Sequence, residues 1–160
     1  MLVRPATHDD ADAFAAVLSE VAEEGRWIGT EAPVDAEALH ARVHGMLDDD
    51  GGALFVPEDD GHVVGNLGLH RTRTKGVLSL GMAIVEGARG RGGGRALLEA
   101  AIEHARGTPS HKLELEVWPD NERAIALYEQ YGFEVEGLRR DHYRRRDGSL
   151  RSSQIMALLL

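Results

Sequence analysis

The sequence predicts a mixed α/β (α+β) domain folded around one sheet, and three observations lead there. The chain is 160 residues long, enough for one domain with a sizeable core. Its apolar residues repeat in turn at a period near two and a period near 3.6, the signatures of strands and amphipathic helices. Neither an internal repeat nor a low-complexity linker divides it, so residues 1–160 read as a single domain.

Each element has its own signal. Residues 2–4 are a short apolar start closed by Pro5. A helix entry follows at Thr7 or His8-Asp9, with Ala11, Phe14, Ala15, Leu18 and Ala22 at helical spacing. GRWIGTEAPVD (25–35) reads as a loop, and Asp35 can cap a second helix carrying Leu39, Val43 and Leu47 up to the break at Gly51-Gly52. ALFVPE (53–58), a DDG turn and HVVGNLGLHR (62–71) read as a hairpin. VLSLGMAIV (77–85) is a strand that ends in a glycine-rich segment. Residues 96–105 return to helical spacing through Leu97, Ala101, Ile102 and Ala105. LELEVW (113–118) alternates as a strand, and residues 121–133 are helical through Ala124, Leu127, Tyr128 and Tyr131. The remainder reads as two strands joined at Asp147-Gly148. The order β-α-α-β-β-β-α-β-α-β-β describes layers of helix packed on one sheet.

Composition excludes several classes. Hydrophobic residues make up 42% and charged residues 28%, the proportions of a folded globular chain. The N-terminus has no apolar signal region, and no stretch approaches the roughly 18 apolar residues of a membrane span. There is no cysteine, which removes disulfides, thiol nucleophiles and cysteine-ligated zinc and agrees with a cytoplasmic address. The net charge of -9 lies in the first half: residues 1–80 hold 6 Lys+Arg against 15 Asp+Glu, and residues 81–160 hold 12 of each. Such a chain is a poor binder of nucleic acid, which needs a basic surface. DDD (48–50) and EDD (58–60) read as solvated turns; presentation of acid to a cationic substrate is the alternative.

The segment EGARGRGGGRALL (86–98) concentrates glycine and arginine between a strand and a helix. A helix start leaves amides unpaired and favours negative charge, and glycines let a phosphate approach the backbone. Arg89, Arg91 and Arg95 can add charge. A Walker loop needs Gly-Lys-Ser/Thr, which is absent, and a dinucleotide fingerprint needs Gly or Ala where Arg95 or Leu97 stands.

Arg89-Gly90-Arg91-Gly92-Gly93-Gly94, followed by Arg95-Ala96-Leu97-Leu98, resembles the acetyl-CoA pyrophosphate loop of the GNAT superfamily of N-acetyltransferases, Gln/Arg-x-x-Gly-x-Gly/Ala between a strand and a helix. The second landmark is Asn121-Glu122-Arg123-Ala124-Ile125-Ala126-Leu127-Tyr128 with Tyr131-Gly132-Phe133. Residues 81–137 carry the resemblance, and the first 50 residues carry little. It implies the GNAT fold, a mixed sheet of about six to seven strands flanked by about four helices. It also implies acetyl transfer from acetyl-CoA to a primary amine by direct attack in a ternary complex, with acetyl-CoA as cosubstrate and no metal. Gly93 departs from the pattern, since relatives often carry an aliphatic residue there.

By the same resemblance, backbone amides from Arg89 to Gly94 hold the pyrophosphate, with Arg89 and Arg91 flanking it. Met82-Ala83-Ile84 pairs its backbone with the pantetheine arm, like an added strand. Asn121 is a helix N-cap on physical grounds, and the resemblance adds a hydrogen bond to the pantetheine arm. Tyr128 reads as a core tyrosine by spacing and, by resemblance, as the acid that protonates the departing thiolate.

An attacking amine must be neutral, and alkylamines are mostly protonated near pH 7, so a base is required. Many relatives carry an acid near the start of the strand before the loop, where this chain has Ser79. Leu115-Glu116-Val117 resembles instead the ribosomal-protein N-terminal acetyltransferase branch, where that glutamate is the base. Alternation places Glu114, Glu116 and Trp118 opposite Leu113, Leu115 and Val117. Glu116 is therefore the candidate base, and a solvated strand glutamate is the alternative.

The acceptor site is expected in the loop over 23–33, with Trp27, Ile28 and Glu31 shaping it. A small amine metabolite or antibiotic and a peptide or protein N-terminus are both open as acceptors. A non-catalytic acyl-CoA sensor on the same fold and a nucleotide-phosphate binder are the competing classes. His40 and His44 have metal-ligand spacing without an evident third ligand and read as surface histidines. RRDHYRRRD (139–147) reads as a charged sheet edge. Homodimerisation through the C-terminal strands is common in the superfamily.

Overall fold

A computed structural model describes residues 1–49 and 51–160. The elements are β1 (Leu2–Pro5), α1 (Ala11–Glu23), α2 (Ala36–Leu47), β2 (Ala53–Asp59), β3 (His62–Val63), β4 (Gly65–Arg71), β5 (Val77–Ile84), α3 (Gly93–Arg106), β6 (Lys112–Val117), α4 (Glu122–Gln130), β7 (Glu134–Arg144) and β8 (Leu150–Leu159). Eight strands form one sheet in the order β1-β2-β4-β5-β6-β8-β7, with the two-residue β3 attached to β2. All neighbours are antiparallel except β5 and β6. The expected mixed α/β order is present, with one strand more than the sequence predicts.

That extra strand comes from a break in the hairpin. β2 pairs Phe55 with Leu67 but Glu58 with Val63, a shift of one residue that leaves Val64 as a bulge. The Val64 amide reaches back to the Pro57 carbonyl at 3.0 Å. Pro57 has no N–H to return, so the ladder cannot run evenly past it. α3 begins at Gly93, three residues before the apolar spacing, because the glycines enter the first turn. The DDD turn is described through Asp49; Asp50 lies outside the described residues.

The two faces of the sheet carry separate cores. Leu97, Leu98, Ala101, Ile102 and Ala105 of α3, with Tyr128 and Phe133, pack on Leu67, Leu69, Leu78, Leu80, Leu113, Leu115 and Met156. On the other face Phe14, Leu18 and Val21 of α1 and Leu39 and Val43 of α2 pack on Leu54 and Ala83. Asp35 caps α2 as the sequence predicts, accepting from the Ala38 amide at 3.0 Å. Among the described residues no helix is long and apolar enough to cross a membrane.

The start of α1 is tied down electrostatically. The Asp10 carboxylate accepts from the Thr7 amide at 2.7 Å and from both terminal nitrogens of Arg4 at 2.8 Å. The Arg4 guanidinium holds the Asp10 carboxyl at about 2, below its ordinary 3.8. A depressed carboxyl contributes stability above its unfolded value and loses it as pH falls through the folded one. The urea midpoint should therefore fall between about pH 4 and pH 2, and Asp10→Asn should flatten that dependence while lowering stability at pH 7.

Candidate active site

The parallel pair β5–β6 is short. Its register runs from Val77↔Lys112 to Leu80↔Leu115 and stops. Beyond that point β5 continues along β4, with Gly81↔Gly68 through Ile84↔Gly65, and β6 continues along β8, with Glu116↔Ile155 and Val117↔Gln154. The two strands have different outer neighbours and part, opening a cleft of about 1120 Å³. Gly81, Met82, Ala83 and Ile84 line it with one strand edge unpaired, so this backbone can accept an extended ligand in place of a strand.

Alternation divides the cleft by face. Leu80, Met82 and Ile84 pack toward α3 and α4, and Ala83 packs toward α1. Leu113, Leu115 and Val117 also face α3 and α4, which turns Glu116 and Trp118 to the α1–α2 side as the sequence predicts. The cleft thus connects both faces of the sheet, with Glu116 on one and Tyr128 on the other.

At one end of the cleft lies the start of α3. Gly90 and Gly92 have φ +81° and +92°, which only glycine adopts without strain. The first helical bond runs from the Ala96 amide to the Gly92 carbonyl at 3.0 Å, so the amides of Gly93, Gly94 and Arg95 have no partner within the helix. A Cβ on Gly94 would sit 3.3 Å from Leu127 Cδ2, beside Ile84 and Met82. A Cβ on Gly93 would sit 2.4 Å from Met1 Sδ, so here the first side chain takes space that an aliphatic residue would need.

The arginines are placed differently from one another. Arg89 donates through Nε to the Ile84 carbonyl at 2.8 Å and grips the Glu24 carboxylate with both terminal nitrogens. Its side chain is a strut between the loop and the end of α1, and it also lines the cleft, where the sequence reading has it flanking the pyrophosphate. Arg91 pairs with Asp59 at 2.6 Å, and Arg95 lines the cleft and contacts Gln130. Arg123, which sequence reasoning missed, lines the cleft with its guanidinium against Gly90: a Cβ there would meet Nη2 at 2.8 Å. Its position two residues after the N-cap Asn121 was the available signal.

Tyr128 lines the cleft while being only 6% exposed, and it packs against Phe133 with ring centroids 5.8 Å apart. Burial pushes its hydroxyl up to about 12, so it keeps its proton throughout the neutral range. Asn121 caps α4, its Oδ1 accepting from the Ala124 amide at 3.3 Å, which leaves the amide NH₂ for the cleft.

On the opposite face the Glu116 carboxylate accepts from Tyr143 Oη at 2.8 Å, Ser153 Oγ at 2.7 Å and Arg139 Nη1 at 2.5 Å. Trp27 and Ile28 line the cleft beside it. Glu31 turns away: it pairs with buried Arg145 at 3.3 Å and accepts from the Arg146 amide. Its part is to fasten the 25–33 loop to the end of β7, helped by the Arg145 bond to the Gly29 carbonyl at 2.9 Å. Trp118 lies under Arg151 at 4.5 Å, and its indole N–H has no partner among the described residues. His40 contacts Asp12 at 2.6 Å and His44 contacts His8 at 2.6 Å, outside the cleft.

The model of the acetyltransferase (GNAT) family matches residues 14–133. The chain belongs to the GNAT acetyltransferase family. A ribosomal-protein-alanine N-acetyltransferase from Brucella melitensis is 30% identical with a TM-score of 0.91, covering 100% of both chains. The N-alpha-acetyltransferase RimI of Mycobacterium tuberculosis is 48% identical over 56 residues, 35% of this chain and 34% of its own length. A phosphinothricin acetyltransferase from Sinorhizobium meliloti, solved in complex with AcCoA, shares the fold at 21% identity and TM-score 0.88, covering 99% of this chain and 88% of its own. The chain spans from 34% to 66% of the length of the curated relatives it matches.

Two substitutions separate the ends of this GNAT cleft. Gly92→Val forces a branched side chain to φ +92° and should raise the KM for acetyl-CoA by about 5- to 150-fold, since a strained φ costs on the order of 1–3 kcal/mol. Arg89→Ala should instead raise the acceptor KM more than that for acetyl-CoA, because it frees Glu24 and the loop that follows. Initial-rate kinetics with each substrate varied in turn read both.

Proposed function

We propose that the protein transfers the acetyl group of acetyl-CoA to the α-amino group of a peptide or protein N-terminus, with both substrates bound at once. The observation that carries this reading is the cleft through the sheet: an unpaired strand edge and a helix start at one side, a carboxylate and a buried phenol on opposite faces. The free amides of Gly93, Gly94 and Arg95 and the guanidinium of Arg123 suit a pyrophosphate, and the free edge of Met82-Ala83-Ile84 suits the pantetheine arm. Gly90, Arg91 and Gly92 shape the loop around them.

Glu116 takes one proton from the acceptor ammonium, directly or through a water. The neutral nitrogen forms the new N–C bond at the acetyl carbonyl, and the C–S bond breaks. Tyr128 gives its proton to the departing sulfur and is reprotonated, through solvent, by the second proton that the nitrogen loses. Burial makes Tyr128 a weaker acid than the thiol, so this transfer is coupled to the proton that the nitrogen loses; what burial secures is a hydroxyl that is always protonated.

An N-terminal amine is favoured over a cationic small molecule. The acidic turns are away from the cleft, Asp59 against Arg91 and Asp48 against His8. Around the mouth the charges are matched, Arg89 by Glu24, Arg139 by Glu116, Arg145 by Glu31 and Arg151 by Asp120, so charge alone selects neither acceptor. The Brucella relative, similar over its full length, is named for an N-terminal alanine acceptor in ribosomal proteins. A silent acyl-CoA sensor would have no use for a proton donor at the sulfur. A cytoplasmic address fits the lack of cysteine and the supply of acetyl-CoA, and a homodimer would pair along β7, whose Val135 and Leu138 are exposed.

Thiol release from acetyl-CoA with N-terminal peptides tests the reading. Tyr128→Phe should lower kcat by about 10²–10⁴-fold with the KM for acetyl-CoA little changed. Glu116→Gln should lower kcat by about 10²-fold or more, and because Tyr128 keeps its proton, wild-type activity should show no alkaline fall up to about pH 10. Coenzyme A binding without turnover on any amine would contradict it.

A further inference from the structure

Three donors from two strands converge on one carboxylate. Tyr143 and Arg139 come from β7 and Ser153 from β8, and Arg139 and Ser153 face each other directly in the register between these strands. β8 in turn lies against β6, where Glu116 opposes Ile155. Glu116 Oε2 accepts two bonds, from Tyr143 Oη and Ser153 Oγ, and Oε1 accepts one, from Arg139. An ionised carboxylate has about four acceptor sites, two on each oxygen. Oε2 is therefore full, and a single acceptor site remains on Oε1, in a residue that lines the cleft.

We propose that Tyr143, Ser153 and Arg139 are positioning residues: the first two occupy Oε2 of Glu116, Arg139 holds Oε1, and together they orient the carboxylate toward the acceptor amine. The inference rests on the reading of Glu116 as base. Ser153 is 1% exposed and so cannot exchange this bond for water. Burial, and then the bond to Glu116, push the Tyr143 hydroxyl up, so it remains a donor wherever the enzyme works. The other charges nearby are already matched: Arg145 by Glu31, Arg151 by Asp120 at 3.0 Å, and Lys112 by Glu136 at 2.7 Å. Glu114 lies two residues back on the same face, and Arg26 on the loop opposite stacks on Trp27 at 4.2 Å. Among the described residues Arg139 is the one cation paired with Glu116.

Each donor holds one part of the carboxylate, so removing one lets the group turn away from the amine. Tyr143→Phe and Ser153→Ala should each lower kcat/KM for the acceptor by about tenfold, with the KM for acetyl-CoA unchanged and almost no further loss in a Glu116→Gln background. Arg139→Gln, at a half-exposed side chain, should do the same and keeps the test open if the other variants misfold. A loss as large in the Glu116→Gln background as in the wild type overturns the proposal and leaves the base reading intact. A Glu116→Gln enzyme that keeps the wild-type kcat overturns the base reading itself, and the proposal with it.

Discussion

The structure depends on where the β5–β6 pairing ends. Four residues of parallel register hold the two halves of the sheet together, and at Leu80 and Leu115 they separate. On one side β4 keeps β5 straight; on the other β8 keeps β6. A buried sheet does not normally leave main-chain donors and acceptors unpaired, since each unmade bond costs on the order of 1–3 kcal/mol. Arg89 Nε satisfies the Ile84 carbonyl, and the rest of the edge is left to water or to a ligand in the cleft. On the proposed function this edge is the recognition element for the pantetheine arm.

Opposed faces give the chemistry its direction. Glu116 and Tyr128 belong to different layers, one on the helix-pair α1–α2 side and one within the α3–α4 core. On the proposed mechanism the amine enters from the first layer and the sulfur departs toward the second, with no need of a common solvent space. The two groups are also prepared in opposite ways. The phenol is kept neutral by burial, whereas the carboxylate is surrounded by hydrogen-bond donors. Between the two ends, Arg89 joins the glycine-rich loop to Glu24 near the end of α1, so the loop and the helix share a mechanical link.

Much of this was legible in local sequence because local chemistry dictates it. Asp35 and Asn121 cap helices through bonds to residues three positions on, and the alternation of 113–118 fixes which way Glu116 points. Gly92 announces a left-handed turn before a helix. The bulge at Val64 was harder, because it needs the lack of an amide at Pro57 to meet a particular partner strand. Long-range side-chain partners were not legible at all. Glu24 and Arg89 are 65 residues apart, and Glu31 leaves the cleft because Arg145 is there to take it. Arg123, Tyr143 and Ser153 joined the site only once the strand order put β8 and β7 beside β6.

Hydrogen–deuterium exchange with and without saturating coenzyme A tests the central claim most directly. The amides of Met82 and Ile84, which alternation turns to the cleft, should slow together with those of 92–95 on binding, by at least about tenfold, while those of β1 and β2 stay as they are. Protection confined to the loop, with Met82 and Ile84 exchanging as fast as before, would contradict the assignment of the unpaired β5 edge as the binding strand.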